Sequence, residues 1–195
     1  MQKSFTKRAH TSSGFTIIEL VVAVAIILVL SVIAIPNAMA MLRAYRLAAD
    51  TRAVAHELSL ARLRAETEFT NAQLVIDPAT NTYSLQVCNV VGGKADTCTT
   101  AGDYDNEGTQ FLSQGISFGF GGATVPAAGQ AALQQTVQTR FNSRGIPVLL
   151  DGSGNVNPND VIYLADAQGN AYAVGVTVGG HVRVYQYVQG AWSLR

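Results

Sequence analysis

The sequence predicts an α+β chain in which one long N-terminal helix packs on a C-terminal antiparallel β-rich domain. Three observations carry this reading. Residues 15–35 form an apolar run whose only ionisable side chain is Glu19. After Pro36, apolar residues recur at helical spacing to about residue 66. Beyond Thr70 charge becomes sparse, and apolar residues alternate with small or polar ones.

The first element is the apolar run. Its 21 residues match the roughly 20 that cross a bilayer core as a helix. Lys3, Lys7 and Arg8 precede it, so the short N-terminal segment is expected to stay in the cytoplasm and the remainder to lie outside. A cleaved secretory signal fits poorly. The run exceeds the usual 7–15 residues, and no small-x-small cleavage pattern closes it. A plain signal anchor would give no reason for Glu19. An acidic side chain at the centre of a membrane helix costs about 2.5–3.5 kcal/mol on insertion scales, so it marks a functional position whose partner must be sought.

The second element continues the helix. Pro36 removes one backbone hydrogen bond and ends the strictly apolar part. Leu47, Val54, Leu58, Ala61 and Ala65 then form one apolar stripe, with Arg43, Arg46, Asp50, Glu57, Arg64 and Glu66 mostly off it. Those charges read as a solvated face, and His56 as a surface or boundary residue. At about 1.5 Å per residue, a helix from Phe15 to about Glu66 would be roughly 75–80 Å long.

The remaining elements are strands. Tyr83, Leu85 and Val87 alternate with Thr82, Ser84 and Gln86. Val174, Val176 and Val178 alternate likewise, as do Val182 and Val184. Other expected strands are 72–77, 111–120, 133–142, 146–150 and 161–166. Gly179-Gly180 predicts a two-residue hairpin loop, and Gln168-Gly169-Asn170 another turn. No helix of any length is expected beyond Thr70. About 125 residues follow position 70, enough for a single β-rich domain.

The Gly14-Phe15-Thr16-Ile17-Ile18-Glu19-Leu20 stretch resembles the processing site of type IV prepilins and type II secretion pseudopilins. The resemblance implies cleavage between Gly14 and Phe15 by a prepilin peptidase and N-methylation of Phe15. It also implies that Glu19 faces the Phe15 amine of a neighbouring subunit in a filament. Two charges that are each costly in an apolar core become tolerable as a pair. The expected organisation is a leader at 1–14, a transmembrane helix at 15–36, an amphipathic extension at 37–70 and a periplasmic β-rich domain at 71–195. The chain would be a single-pass inner-membrane protein. The implied partners are other pilins or pseudopilins, the prepilin peptidase, an inner-membrane assembly platform and membrane lipid, with no cofactor.

Later stretches resemble the GspH/FimT family of minor pseudopilins. Leu85-Gln86-Val87-Cys88 with Cys98 is similar to its early strand and cysteine loop. Arg140-Phe141-Asn142-Ser143-Arg144-Gly145-Ile146-Pro147 is similar to its F-x-x-R-G-x-P signature, and residues 174–184 to its C-terminal hairpin. The family implies a minor pseudopilin of a type II secretion pseudopilus, acting in protein export. A FimT-like branch implies instead a minor type IV pilin acting in pilus assembly or DNA uptake, through a Gly-Arg-x-Arg motif. Here Gly180-His181-Val182-Arg183 replaces the first arginine with histidine. Arg183 and Arg195 are the cations left for a DNA contact, and nucleic acid is not expected as a partner. A third reading, a monomeric membrane-anchored β domain, predicts indifference to loss of the peptidase.

Charge and cysteines agree with export. Without residues 1–14, ten basic residues remain against thirteen acidic ones, a net −3; no basic stripe marks a nucleic-acid binder. Cys88 and Cys98 are the only cysteines. In an oxidising compartment their spacing fits a loop-closing disulfide worth about 2–3 kcal/mol; as metal ligands they would make an incomplete site. Residues 151–160 alternate oxygen side chains as calcium loops do, but Ser and Asn occupy most ligand positions and no bidentate Glu closes the site. A polar turn is the expectation. Gly119, Gly121 and Gly122 lack the following helix that a phosphate loop needs. His10, His56 and His181 have no nucleophile or carboxylate at a diagnostic spacing. Neither an enzyme nor a metal site is expected.

Overall fold

The computed structural model describes residues 14–89, 98, 101–150, 154–157 and 159–195. The leader residues 1–13, most of the cysteine loop, and Asp151, Gly152, Ser153 and Pro158 of the candidate calcium loop lie outside the described residues. The chain divides into two compact units, Met1–Met41 and Leu42–Arg195. Helix α1 (Ile17–Thr67) contributes to both, with Pro36 inside it.

In the second unit, α1 buries Leu47, Thr51, Val54, Leu58, Ala61 and Ala65. This is the expected stripe with one polar addition. Thr51 is tolerated there because its hydroxyl donates to the Leu47 carbonyl at 2.7 Å. The helix ends in a left-handed residue, Phe69 (φ 52°), and the Thr70 amide donates back to the Ala65 carbonyl at 3.2 Å.

Among the described residues, ten strands follow: β1 (Ala72–Asp77), β2 (Thr82–Cys88), β3 (Tyr104–Phe111), β4 (Ile116–Phe118), β5 (Gln138–Phe141), β6 (Pro147–Val148), β7 (Asp160–Asp166), β8 (Ala171–Val176), β9 (Val182–Val188) and β10 (Ala191–Leu194). They form two antiparallel five-stranded sheets, ordered β3-β2-β1-β5-β6 and β10-β9-β8-β7-β4. The period-two pattern sets the register of the first sheet. Leu74 pairs with Leu85 and Ile76 with Tyr83, placing both apolar sets on the face that meets α1. One core cluster joins helix residues such as Leu58 to Leu74, Leu85 and Phe141 of the first sheet and Ile162, Leu164 and Val174 of the second.

The second sheet is covered on both faces, so β7 is buried throughout. Val161, Tyr163 and Ala173 point away from α1 and pack beneath Phe120, Ala127, Ala128 and Leu133 of the segment linking β4 to β5. Tyr163 is fully buried. Its hydroxyl donates to Gln130 Oε1 at 2.7 Å and accepts the Ala127 amide at 2.9 Å, pinning that segment down.

Several strand expectations need correction. The stretch 111–120 is not one strand: it holds the end of β3, a turn at 113–115, and β4. The turn is fixed by Asp50 of α1, which accepts from the Ser113 amide and hydroxyl at 2.8 and 2.9 Å. Only Gln138–Phe141 of 133–142 and Pro147–Val148 of 146–150 are strand. Val178 lies in a turn and is exposed. A 3-10 turn, Ala101–Asp103, follows the cysteine loop.

The Gly179-Gly180 loop has three residues rather than two. The Thr177 amide donates to the His181 carbonyl, and the Gly180 amide to the Thr177 carbonyl. The same design occurs at 142–146 and 166–170. In each, a left-handed glycine (Gly145, Gly169, Gly180; φ 69°, 88° and 76°) is the third and last loop residue. The residue opening each turn, Asn142, Asp166 or Thr177, also accepts backbone amides through its side-chain oxygen.

Two of these turns meet on α1. Arg62 donates from Nη1 to the Gly180 carbonyl at 3.2 Å and pairs through Nε with Glu66 at 3.0 Å. A Cβ on Gly145 would run into Glu66 and Arg62; one on Gly180 would run into the Gly145 carbonyl. Glycine is required at both positions by conformation and by space. This clasp ties the helix to one hairpin of each sheet.

Candidate functional site

The N-terminal segment begins α1. The Glu19 amide donates to Thr16 Oγ1 at 3.3 Å, so Thr16 caps the helix and Glu19 sits three residues later. That is the spacing of a capping box, a signal the sequence reading passed over. An acidic residue in the first turn also suits the helix dipole. Around Glu19 the apolar side chains have no cover: Phe15 is 82% exposed, Ile17 85% and Ile18 69%. Exposure of large apolar side chains continues through Ile35 and past Pro36 to Tyr45. Among the described residues, one helix is long and apolar enough to cross a membrane, and it contains this segment. A surface apolar on all sides calls for lipid or other apolar helices around it.

The other candidate cations do not form one site. Along β9, Val182 packs on the α1 core, and Val184 and Gln186 line a groove with Ala48 and Arg52 of α1. Tyr185 packs on the opposite face, in the Tyr163 cluster. Alternation therefore puts Arg183 on the face away from α1. Arg195 lines the α1-side groove, and its Nε donates to Gln186 Oε1 at 2.7 Å. The sheet separates the two arginines. His181 is exposed at the hairpin, its amide donating to Thr177 Oγ1.

Cys88, at the end of β2, and Cys98 are joined in a disulfide with Cα atoms 6.0 Å apart. Both are buried against Tyr104. The Tyr104 hydroxyl donates to the Cys98 carbonyl at 3.2 Å, and the Arg140 guanidinium lies 5.3 Å from its ring centroid. Burial pushes the Tyr104 phenol above its usual range, partly offset by Arg140. Arg140 is itself buried and donates to Gln73 Oε1 at 3.1 Å. The bridge thus lies beside a polar cluster on the face of the first sheet turned away from α1.

Of the candidate calcium loop, the described end is β7's first residue, Asp160. It is 5% exposed and accepts from Asn157 Nδ2 at 2.6 Å. Burial pushes its carboxyl up to about 6, and the nearby Thr139 hydroxyl and Asn157 amide offset this only in part. A raised carboxyl makes the folded state hold its proton more tightly than the unfolded chain does. The contribution of Asp160 is therefore favourable at acid pH and is lost as pH rises from about 4 to about 6. Asp160→Asn removes that dependence. It is expected to stabilise the chain by about 1–3 kcal/mol above pH 7 and to have little effect at pH 4. Urea denaturation at the two pH values measures the difference; an equal effect at both would contradict it.

Residues 10–35 match a family model, the prokaryotic N-terminal methylation motif. The matched segment contains Gly14, Phe15 and Glu19. The chain carries a prepilin-type N-terminus. No curated protein matches the chain significantly in sequence. Among solved structures, one of the minor pseudopilin EpsH from the type 2 secretion system of Vibrio cholerae is similar at 14% identity and a TM-score of 0.45, covering 71% of this chain and 95% of that one. A crystal structure of the same minor pseudopilin is similar at 16% identity and a TM-score of 0.42, covering 71% and 92%.

Proposed function

We propose that this prepilin-type chain is a minor pseudopilin, an assembly subunit of a type II secretion pseudopilus. The observation that carries the proposal is Glu19, the only ionisable side chain in the uncovered apolar run 15–35, five residues after a prepilin-type Gly14. On this reading the peptidase cuts after Gly14. Phe15 becomes a methylated amino terminus, and Glu19 meets the Phe15 amine of the next subunit. Residues 15–36 anchor the chain in the inner membrane, with residues 71–195 in the periplasm. The separation of Arg183 from Arg195 gives no support to a DNA contact through both.

Intact-mass analysis of the chain from its native host tests the processing step. The expected mass starts at a methylated Phe15, and a Gly14→Val variant is expected to keep its leader. A chain retaining Met1 would overturn the reading. The export role is tested by deleting the gene: secreted proteins are expected to accumulate in the periplasm. Unimpaired secretion with lost pili would favour the pilus branch.

A further inference from the structure

The two flanks of α1 in the second compact unit carry opposite charge. On the flank facing the second sheet, a groove of about 240 Å³ is lined by Ala48 and Arg52 of the helix and by Tyr172, Val184, Gln186 and Arg195. Two guanidinium groups share this small groove, and neither is in an ion pair among the described residues. Arg52 is exposed and makes no hydrogen bond through its side chain among them, while Arg195 spends only Nε, on Gln186. Farther up this flank, Arg62 is already answered by Glu66. The flank facing the first sheet has the reverse sign. From Asp50 upward, Asp50 holds the turn after β3, and Glu68 and Glu107 both pair with Arg64. Glu57 has no hydrogen bond or ion pair among the described residues. The negative field is felt at Tyr83 of β2: burial, then the charges of Glu57 and Asp50, push its phenol above the ordinary range.

A cationic groove on one flank and an unanswered carboxylate on the other are the two halves of a heterologous contact, the kind that propagates from copy to copy. We propose that copies of this chain pack side by side in parallel, with Glu57 of one copy seated in the Arg52–Arg195 groove of the next. The proposal rests on the assembly reading above, which holds copies parallel through a common membrane anchor. It goes beyond that reading in making the contact homotypic, so that copies of this chain adjoin one another rather than standing singly among other pseudopilins. The stagger agrees. Bringing Glu57 level with Arg52 of the neighbour displaces that copy by five residues along α1, about 7.5 Å at the helical rise. The Glu19–Phe15 pair displaces it by four residues in the same direction, about 6 Å. Each offset is set within its own compact unit, and one axial displacement serves both pairs.

The test uses the full chain in membranes of its native host. Arg52→Lys keeps the charge and supplies an amine, which a carbodiimide joins to a carboxylate in direct contact. The expected product is a dimer whose cross-linked peptide joins position 52 of one copy to Glu57 of the other. A second arm measures the association of two differently tagged copies after mild solubilisation. Arg52→Glu and Glu57→Arg are each expected to lower it about ten-fold or more, because like charges then face each other. The double reversal is expected to restore association to within about three-fold of wild type, which also excludes misfolding of the single variants as the cause of their loss. No dimer, cross-links only to other proteins, single reversals without effect, or a double reversal that recovers nothing would overturn the proposal. Intact mass separates the two readings. A processed chain beginning at Phe15 that fails these tests overturns the homotypic contact alone, whereas a chain retaining Met1 overturns the assembly reading with it.

Discussion

Glu19→Ala is expected to leave the chain folded and membrane-inserted while lowering its incorporation into filaments by roughly a hundred-fold or more. The expectation rests on the proposed assembly. The variant removes a carboxylate but leaves the Phe15 amine of the adjoining subunit in an apolar environment. Breaking a buried ion pair from one side costs about 3–5 kcal/mol, which in an association equilibrium is two to three orders of magnitude. The fold is spared because Glu19 lies in the first compact unit. The core around Leu58, Phe141 and Val174 belongs to the second. The measurement is the fraction of chain recovered in sheared or cross-linked filaments, divided by its total membrane level. Normal incorporation at normal expression would defeat the pairing.

Gly145→Val is expected to be the most damaging single change in the β-rich unit. The backbone at Gly145 has a φ of 69°, where a side chain costs about 1–2 kcal/mol. The new Cβ would also occupy the space of the Glu66 carboxylate and the Arg62 guanidinium, and overpacking of this kind costs about 1–3 kcal/mol. Together these give about 2–5 kcal/mol, or a fall in Tm on the order of 10 °C. The neighbouring Arg144 is exposed, so Arg144→Ala is the control, expected to change stability by less than about 0.5 kcal/mol. Equal stability of the two variants would show that the Arg62 clasp does not constrain the turn.

Much of this architecture is legible in the sequence where one face of an element is buried. The α1 stripe, β1 and the alternation of β2 are of that kind, because burial imposes a period on the residues. β3 escapes notice for the opposite reason. Asp105, Asn106, Glu107, Gly108, Thr109 and Gln110 are all exposed, and backbone pairing with β2, not burial, makes them a strand. β10 is similar. It is a four-residue edge strand, turned back by Gln189 and Gly190 at φ 51° and 85°. At the site level, Glu19 stands out locally because its neighbours in sequence are its surroundings. The separation of Arg183 from Arg195 is invisible locally, since it depends on which face of β9 meets α1. The contact of Gln135 with β7 is likewise hidden: its side chain accepts the Tyr163 amide only when the segment before β5 lies along β7.

The uncovered apolar flank of residues 15–35 has an energetic corollary for polymerisation. Leaving lipid for a bundle of like helices trades one oily environment for another, so solvent exclusion supplies almost no net pull. On the proposed assembly, growth of such a fibre would draw on the charge pairing and close packing at its axis, and on mechanical work from outside the subunit to extract each anchor from the bilayer.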